Sequence, residues 1–226
     1  MKKKIGLKLI LIFIPFILLF SCSTVILQKT IVGEGDILTK TIALNEFSEV
    51  QVNNYCDVEI KIGSEFKVEV SDYENIIEFL EFNVVQGKLR IESTRKDAHA
   101  SNSRAKAIIY VPLKLVSLSI NGSGNIQLLD PFKELKNIVI AGSGNIFSSA
   151  TSSAHLLNIS IAGSGDIDLS KIVSQDVNCS ISGSGDVKVN AQKLLNVSIS
   201  GSGDVHYLGN PSITKRIDGS GEVVSM

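Results

Sequence analysis

Along the second half of the chain, apolar and polar residues alternate in short bursts, and each burst ends at the same four residues. The tetrapeptide Gly-Ser-Gly-(Asn/Asp/Glu) begins at Gly122, Gly142, Gly163, Gly183, Gly201 and Gly219. The spacings are 20, 21, 20, 18 and 18 residues. Two residues before each turn stand Ile120, Ile140, Ile161, Ile181, Ile199 and Ile217, and four before it stand Leu118, Ile138, Ile159, Cys179, Val197 and Lys215. The residues between are small or polar, as in Ser119, Ser160, Ser180 and Ser198. Period-2 alternation of this kind predicts a strand with one buried face. After each turn come Ile126, Ile146, Ile167, Val187, Val205 and Val223, each opening a second short strand.

One such unit cannot bury its own apolar side, whereas stacked copies bury a continuous column. The chain is therefore predicted to be all-β, a right-handed parallel β-helix-like solenoid of about six coils. Successive coils should lie about 4.8 Å apart, so the six turns should form a ladder about 24 Å long on one edge. The ladder would comprise Gly122, Gly124 and Asn125; Gly142, Gly144 and Asn145; Gly163, Gly165 and Asp166; Gly183, Gly185 and Asp186; Gly201, Gly203 and Asp204; and Gly219, Gly221 and Glu222. The glycines answer to a tight corner, through positive φ or close approach of neighbouring turns. Asn137, Asn158, Asn178 and Asn196 share the position five before the first Gly and are expected to form an amide ladder. Lys215 replaces the apolar residue of the last coil, as suits a terminal coil.

Residues 37–113 are β-rich without a visible repeat. Alternation appears at Val50–Val52, Val58–Ile62 and Phe66–Val70. Phe82–Val85, the turn Gln86-Gly87 and Leu89–Ile91 predict a hairpin. Residues 74–80 read as a short helical turn or an irregular strand, and 99–104 as a polar loop. No linker composition divides 37–113 from the repeats of 114–226, so one continuous domain over 37–226 is expected.

Residues 1–21 change the picture from a plain β protein to an exported one. Lys2, Lys3 and Lys4 precede an unbroken apolar run from Leu9 to Phe20, 12 residues long. That is too short for a membrane span of about 20 residues and fits the core of a signal peptide. Ser21-Cys22 closes the run, which resembles the lipobox of bacterial lipoproteins. The resemblance implies cleavage before Cys22, lipid on its thiol and acylation of the new amino group. Residues 22–36 are then expected as a tether and the outer membrane as destination, with its surface and periplasmic faces both open. An ordinary signal peptide with an incidental Cys is the competing reading. Removing the four leader lysines takes the formal net charge from -1 to -5. A mildly acidic body without Trp offers nothing for nucleic acid. Cys56 and Cys179 give no sign of pairing, and Cys179 is expected to be a buried free thiol.

The stacked acids have two readings. Carboxylates this close could share a cation such as Ca²⁺, or each side chain could cap its own turn by accepting nearby backbone N–H bonds. Asn at two of the six positions suits capping, since Asn caps without bringing charge. His99, His155 and His206 are scattered, and no catalytic triad, phosphate loop or metal-ligand spacing is present. No cofactor, metal or catalytic residue is expected.

These residues resemble the auto-transporter adhesin head domains known as GIN domains. The resemblance spans roughly Phe47 to Val223. It rests on the Ile-x-Gly-Ser-Gly-Asp turns, on Phe47-Ser48-Glu49-Val50 followed by Asp57–Ile60, and on Gly87–Ile91. It implies a lipoprotein with a right-handed β-helix-like fold and supplies no catalytic residues. The expected function is a non-catalytic envelope lipoprotein, an adhesin or surface-binding solenoid whose partners are the membrane, through its lipid, and a polysaccharide or protein ligand. A periplasmic structural or sensing protein is the alternative, and a polysaccharide-acting β-helix enzyme the lower one.

Overall fold

A computed structural model describes residues 29–95, 97–112 and 114–226. The proposed leader and Cys22 lie outside the described residues. The chain begins with β1 (Lys29–Val32), β2 (Ile37–Ala43), β3 (Glu49–Val52), β4 (Asp57–Ile62) and β5 (Lys67–Tyr73). A single-turn helix, α1 (Glu74–Ile77), precedes the hairpin of β6 (Leu80–Val85) and β7 (Lys88–Ser93). Gln86 and Gly87 turn this hairpin at φ 52° and 72°, the left-handed pair that matches strand twist. β8 (Ala98–Ser101) and β9 (Lys106–Val111) lead into the repeats. These are β10 (Ser117–Ile120), β11 (Ile126–Leu128), β12 (Asn137–Ile140), β13 (Ile146–Ser148), β14 (Ser152–Gly163), β15 (Ile167–Gly183), β16 (Val187–Gly201), β17 (Val205–Leu208), β18 (Ser212–Gly219) and β19 (Val223–Ser225).

The repeats stack as a parallel solenoid. Before the corner, β10, β12, β14 and the ends of β15, β16 and β18 align in strict register, so that Ile138, Ile159, Cys179, Val197 and Lys215 are cross-strand partners. After the corner, β11, β13, β15, β16, β17 and β19 form the second face. The inward residues of both faces meet in one core. Ile120, Ile140, Ile161, Ile181 and Ile199 oppose Ile126, Ile146, Ile167, Val187 and Val205, all nearly inaccessible. Each buried aliphatic side chain contributes about 1.5–3 kcal/mol, so each added coil extends a core that a lone coil would lack.

Stack order departs from chain order at the N-terminal end. β3 and β4 pair in parallel with β10 and β11, and on their other flank with β7 and β9. The chain thus lays down an interior coil first, loops out, and returns to cover it. Antiparallel β5 and β2 extend the second face beyond β9, and β6 extends the first beyond β7. Residues 99–101, part of the loop expected over 99–104, lie in β8 (Ala98–Ser101), which pairs in parallel with β1. That strand lies within the stretch read as a tether, and its partner is far away in sequence, so local pattern could not reveal it.

Candidate functional site

The corner is the most regular feature of the molecule. The amide of the central Ser donates to the carbonyl of the first Gly one coil back, as in Ser184 to Gly163 at 3.0 Å and Ser202 to Gly183 at 2.9 Å. Backbone thus lies directly on backbone. A Cβ added to Gly144, Gly165 or Gly185 would run into the carbonyl oxygen of the equivalent glycine below. Close approach decides the residue type here, with positive φ an additional reason at positions such as Gly183, φ 140°.

The side chain after each of the first five Gly-Ser-Gly turns accepts a hydrogen bond from the next coil, not from its own turn as expected. Asn125 Oδ1 accepts from the Asn145 amide at 2.9 Å, and Asn145 Oδ1 from that of Asp166 at 2.8 Å. Asp166, Asp186 and Asp204 continue the column through Oδ1 to the amides of Asp186, Asp204 and Glu222, at 2.8, 2.8 and 2.7 Å. The reason is the stack itself: every coil leaves the amide at this position facing the coil before it. Two unit charges one coil apart repel by about 1 kcal/mol in water, whereas a hydrogen bond to a charged group contributes about 1.5–3 kcal/mol. The column therefore holds as a cap even where all its members are acids.

The column has a rung the repeat did not announce. Asp57 Oδ1 accepts from the Asn125 amide at 2.9 Å and from Asn125 Nδ2 at 2.8 Å. Asn54-Tyr55-Cys56-Asp57 is therefore a corner without glycine, beneath Gly122 and Gly124. The layer on its other side is not a Gly-Ser-Gly corner: the Asn53 amide donates to the Ile91 carbonyl at 2.9 Å and the Asp57 amide to the Ala105 carbonyl at 3.0 Å, with β8 between Ile91 and Ala105 in sequence, and side chains at Asn54 and Cys56 fit. Asp recurring at the fourth position was the one available sequence signal.

A second column runs along the first face. Asn158, Asn178 and Asn196 each donate Nδ2 to the Asn of the preceding coil, at 3.1, 2.9 and 2.9 Å, starting from Asn137. The amide ladder expected from spacing is present. Between it and the outward column of Ser160, Ser180 and Ser198 lies a trough of about 530 Å³. Lys215 and Arg216 stand at its C-terminal end.

Other candidate groups stay apart. His99 lies on β8, His155 on β14 and His206 on β17. Among the described residues, no three His, Cys, Asp or Glu side chains are placed to hold a metal. Asp168 lines a smaller cavity with Asp166 and Asp186, and its Oδ1 accepts from Ser170 Oγ at 2.7 Å. Cys56 and Cys179 are buried and unpaired. Burial pushes the Cys179 thiol up to about 12, and burial with the nearby Asp57 and Asp72 carboxylates pushes Cys56 higher still. Pattern reading missed Asp72, which is fully buried and accepts from Ser103 Oγ at 2.6 Å and from the Arg104 amide at 3.1 Å. It pins the 102–105 crossing to the end of β5.

Comparison with family models matches residues 46–147 and 134–211 to the "putative auto-transporter adhesin, head GIN domain". The chain belongs to this family. No match is found among curated proteins. Crystal structures of like fold include a "putative adhesin" from Bacteroides fragilis, 19% identical, TM-score 0.66, covering 87% of this chain and all of that one. A "putative lipid binding protein" from Parabacteroides distasonis is 24% identical, TM-score 0.57, with 88% and 100% covered. A "putative adhesin" from Parabacteroides merdae is 19% identical, TM-score 0.54, with 88% and 99% covered. At these identities the likeness concerns the fold of the GIN-domain solenoid.

Proposed function

We propose that this GIN-domain protein is a non-catalytic adhesin of the cell envelope, anchored to the outer membrane through lipid on Cys22 and exposing its solenoid for binding. Membership of the adhesin head family carries the reading. The stack supports it, because a solenoid tied by backbone, carboxylate and amide columns presents a broad, rigid surface with little ordering cost on binding. The placement of the histidines on three separate strands favours binding over acid–base chemistry. Two acyl chains on the mature N-terminus would give stable anchoring where one would not.

The test is protease accessibility on intact cells, paired with adherence of cells lacking the gene. Cleavage on intact cells and loss of adherence are expected. Protection until the outer membrane is opened would sink the adhesin reading and leave a periplasmic structural or sensing role. The anchor is tested separately: Cys22→Ala should move the protein from the membrane to the soluble fraction.

A further inference from the structure

We propose that the trough between the Asn and Ser columns of the first face is a binding site for an extended, carboxylate-bearing glycan lying along the solenoid axis. The inference rests on the binding-protein reading above and names its ligand class. The backbone amides of this face are already paired strand to strand, so recognition there must run through side chains. A strand-like peptide, which binds by adding to an open sheet edge, has no purchase on such a face.

The side chains available are the amides and hydroxyls of the two columns, with the exposed Val139 standing in the Ser column one coil before Ser160. In the ladder Asn158 and Asn178 each give one N–H and receive one bond, Asn137 only receives and Asn196 only gives, which leaves at least one N–H and further acceptor capacity on every rung. Ser160, Ser180 and Ser198 supply the facing hydroxyls. Both walls repeat at about 4.8 Å per coil, so a matching ligand offers polar groups at a similar step along its length. A chain of linked sugar rings does so, and it needs no aromatic platform, of which the trough has none. The only charged side chains lining the trough are Lys215 and Arg216. Asp218 engages Arg216 only through Nε, at 3.1 Å. Asp166, Asp186, Asp204 and Glu222 stand apart from it in the corner column. A trough with Asn and Ser walls, apolar lining at Val139, Ile159, Cys179 and Val197, and two cations at one end is complementary to a chain of sugar rings, whose C–H faces are apolar, carrying carboxylates.

The experiment measures binding of polygalacturonate and of neutral pullulan to the full mature chain by affinity electrophoresis and calorimetry. Polygalacturonate should bind, with pullulan at least tenfold weaker. Ser180→Trp, at an exposed position, should fill the trough and weaken polygalacturonate binding at least tenfold with an unchanged melting curve. Ser198→Tyr supplies the same test one coil on should the first variant misfold. Lys215→Gln with Arg216→Gln should weaken binding severalfold and flatten its salt dependence. Equal binding by the trough-filling variants, equal binding of pullulan, or no binding of polygalacturonate would overturn the proposal. A surface-exposed protein that supports adherence without binding polygalacturonate would remove this inference alone. Polygalacturonate binding by a protein shielded inside the outer membrane would remove the adhesin reading alone.

Discussion

The corner at Asn54–Asp57 and the corners from Gly122 onward occupy one column, yet only the latter need glycine. Both turn the chain from the first face to the second, and both present the fourth side chain to the coil above. They differ in what lies beneath. Under Gly185 is the carbonyl of Gly165; the layer flanking Cys56 joins β7 to β9 and holds no Gly-Ser-Gly corner. The glycines of this family's turn therefore record stacking of corner on corner rather than the turn itself.

The largest effect should come from breaking that contact. Gly185→Ala places a methyl group against a backbone oxygen that cannot move aside, and is expected to cost about 3 kcal/mol or more in equilibrium unfolding. Cys56→Ala, at the equivalent place in the first corner, should cost about 1 kcal/mol by loss of the sulfur. Equal losses would mean that the two corners obey the same rule.

The caps come next. Asp204→Ala removes the acceptor for the Glu222 amide and should cost about 1–2 kcal/mol, whereas Asp204→Asn should stay within about 0.5 kcal/mol of wild type. Asn already fills this role at Asn125 and Asn145. A large loss in Asp204→Asn would show that charge, not capping, holds the column.

At neutral pH the smallest effect is that of the two thiols, one in each half, which act only in alkali. Cys179 has its pKa raised by burial to about 12 from an ordinary 9, so both states are protonated below pH 9 and the thiol adds no slope there. Between pH 9 and 12 the unfolded chain loses the proton first, so stability falls as pH rises, by up to about 1 kcal/mol per unit. Cys179→Val should remove that part of the fall in pH-dependent denaturation, and Cys56→Ala a similar part, since its thiol is raised further. An unchanged slope in Cys179→Val would place that thiol in contact with water.

The repeat half was legible because its rules are local. Six tetrapeptides and their flanking isoleucines state corner, inward face and register, and the spacing of Asn137, Asn158, Asn178 and Asn196 states the ladder. The N-terminal half was legible as strands but not as a coil. Its corner carries side chains where the repeats carry glycine, so it shows no signature, and β3 finds its partners at β7 and β10 across long loops. The β1–β8 pair and the Asp72 nest depend on contacts between distant segments, which alternation cannot encode. The trough was hidden for another reason: its walls are ordinary Ser and Asn, and only stacking makes them a continuous feature.

The most direct test of one stack running through both halves is hydrogen exchange at the Asn125 amide. That N–H bonds to Asp57 Oδ1 at 2.9 Å and joins the first, unannounced corner to the repeats. In Asp57→Ala its protection should fall at least tenfold, equivalent to about 1.4 kcal/mol, while the Asn145 amide, held by Asn125, keeps its own. Unchanged protection at Asn125 would contradict the account and separate the N-terminal half from the column.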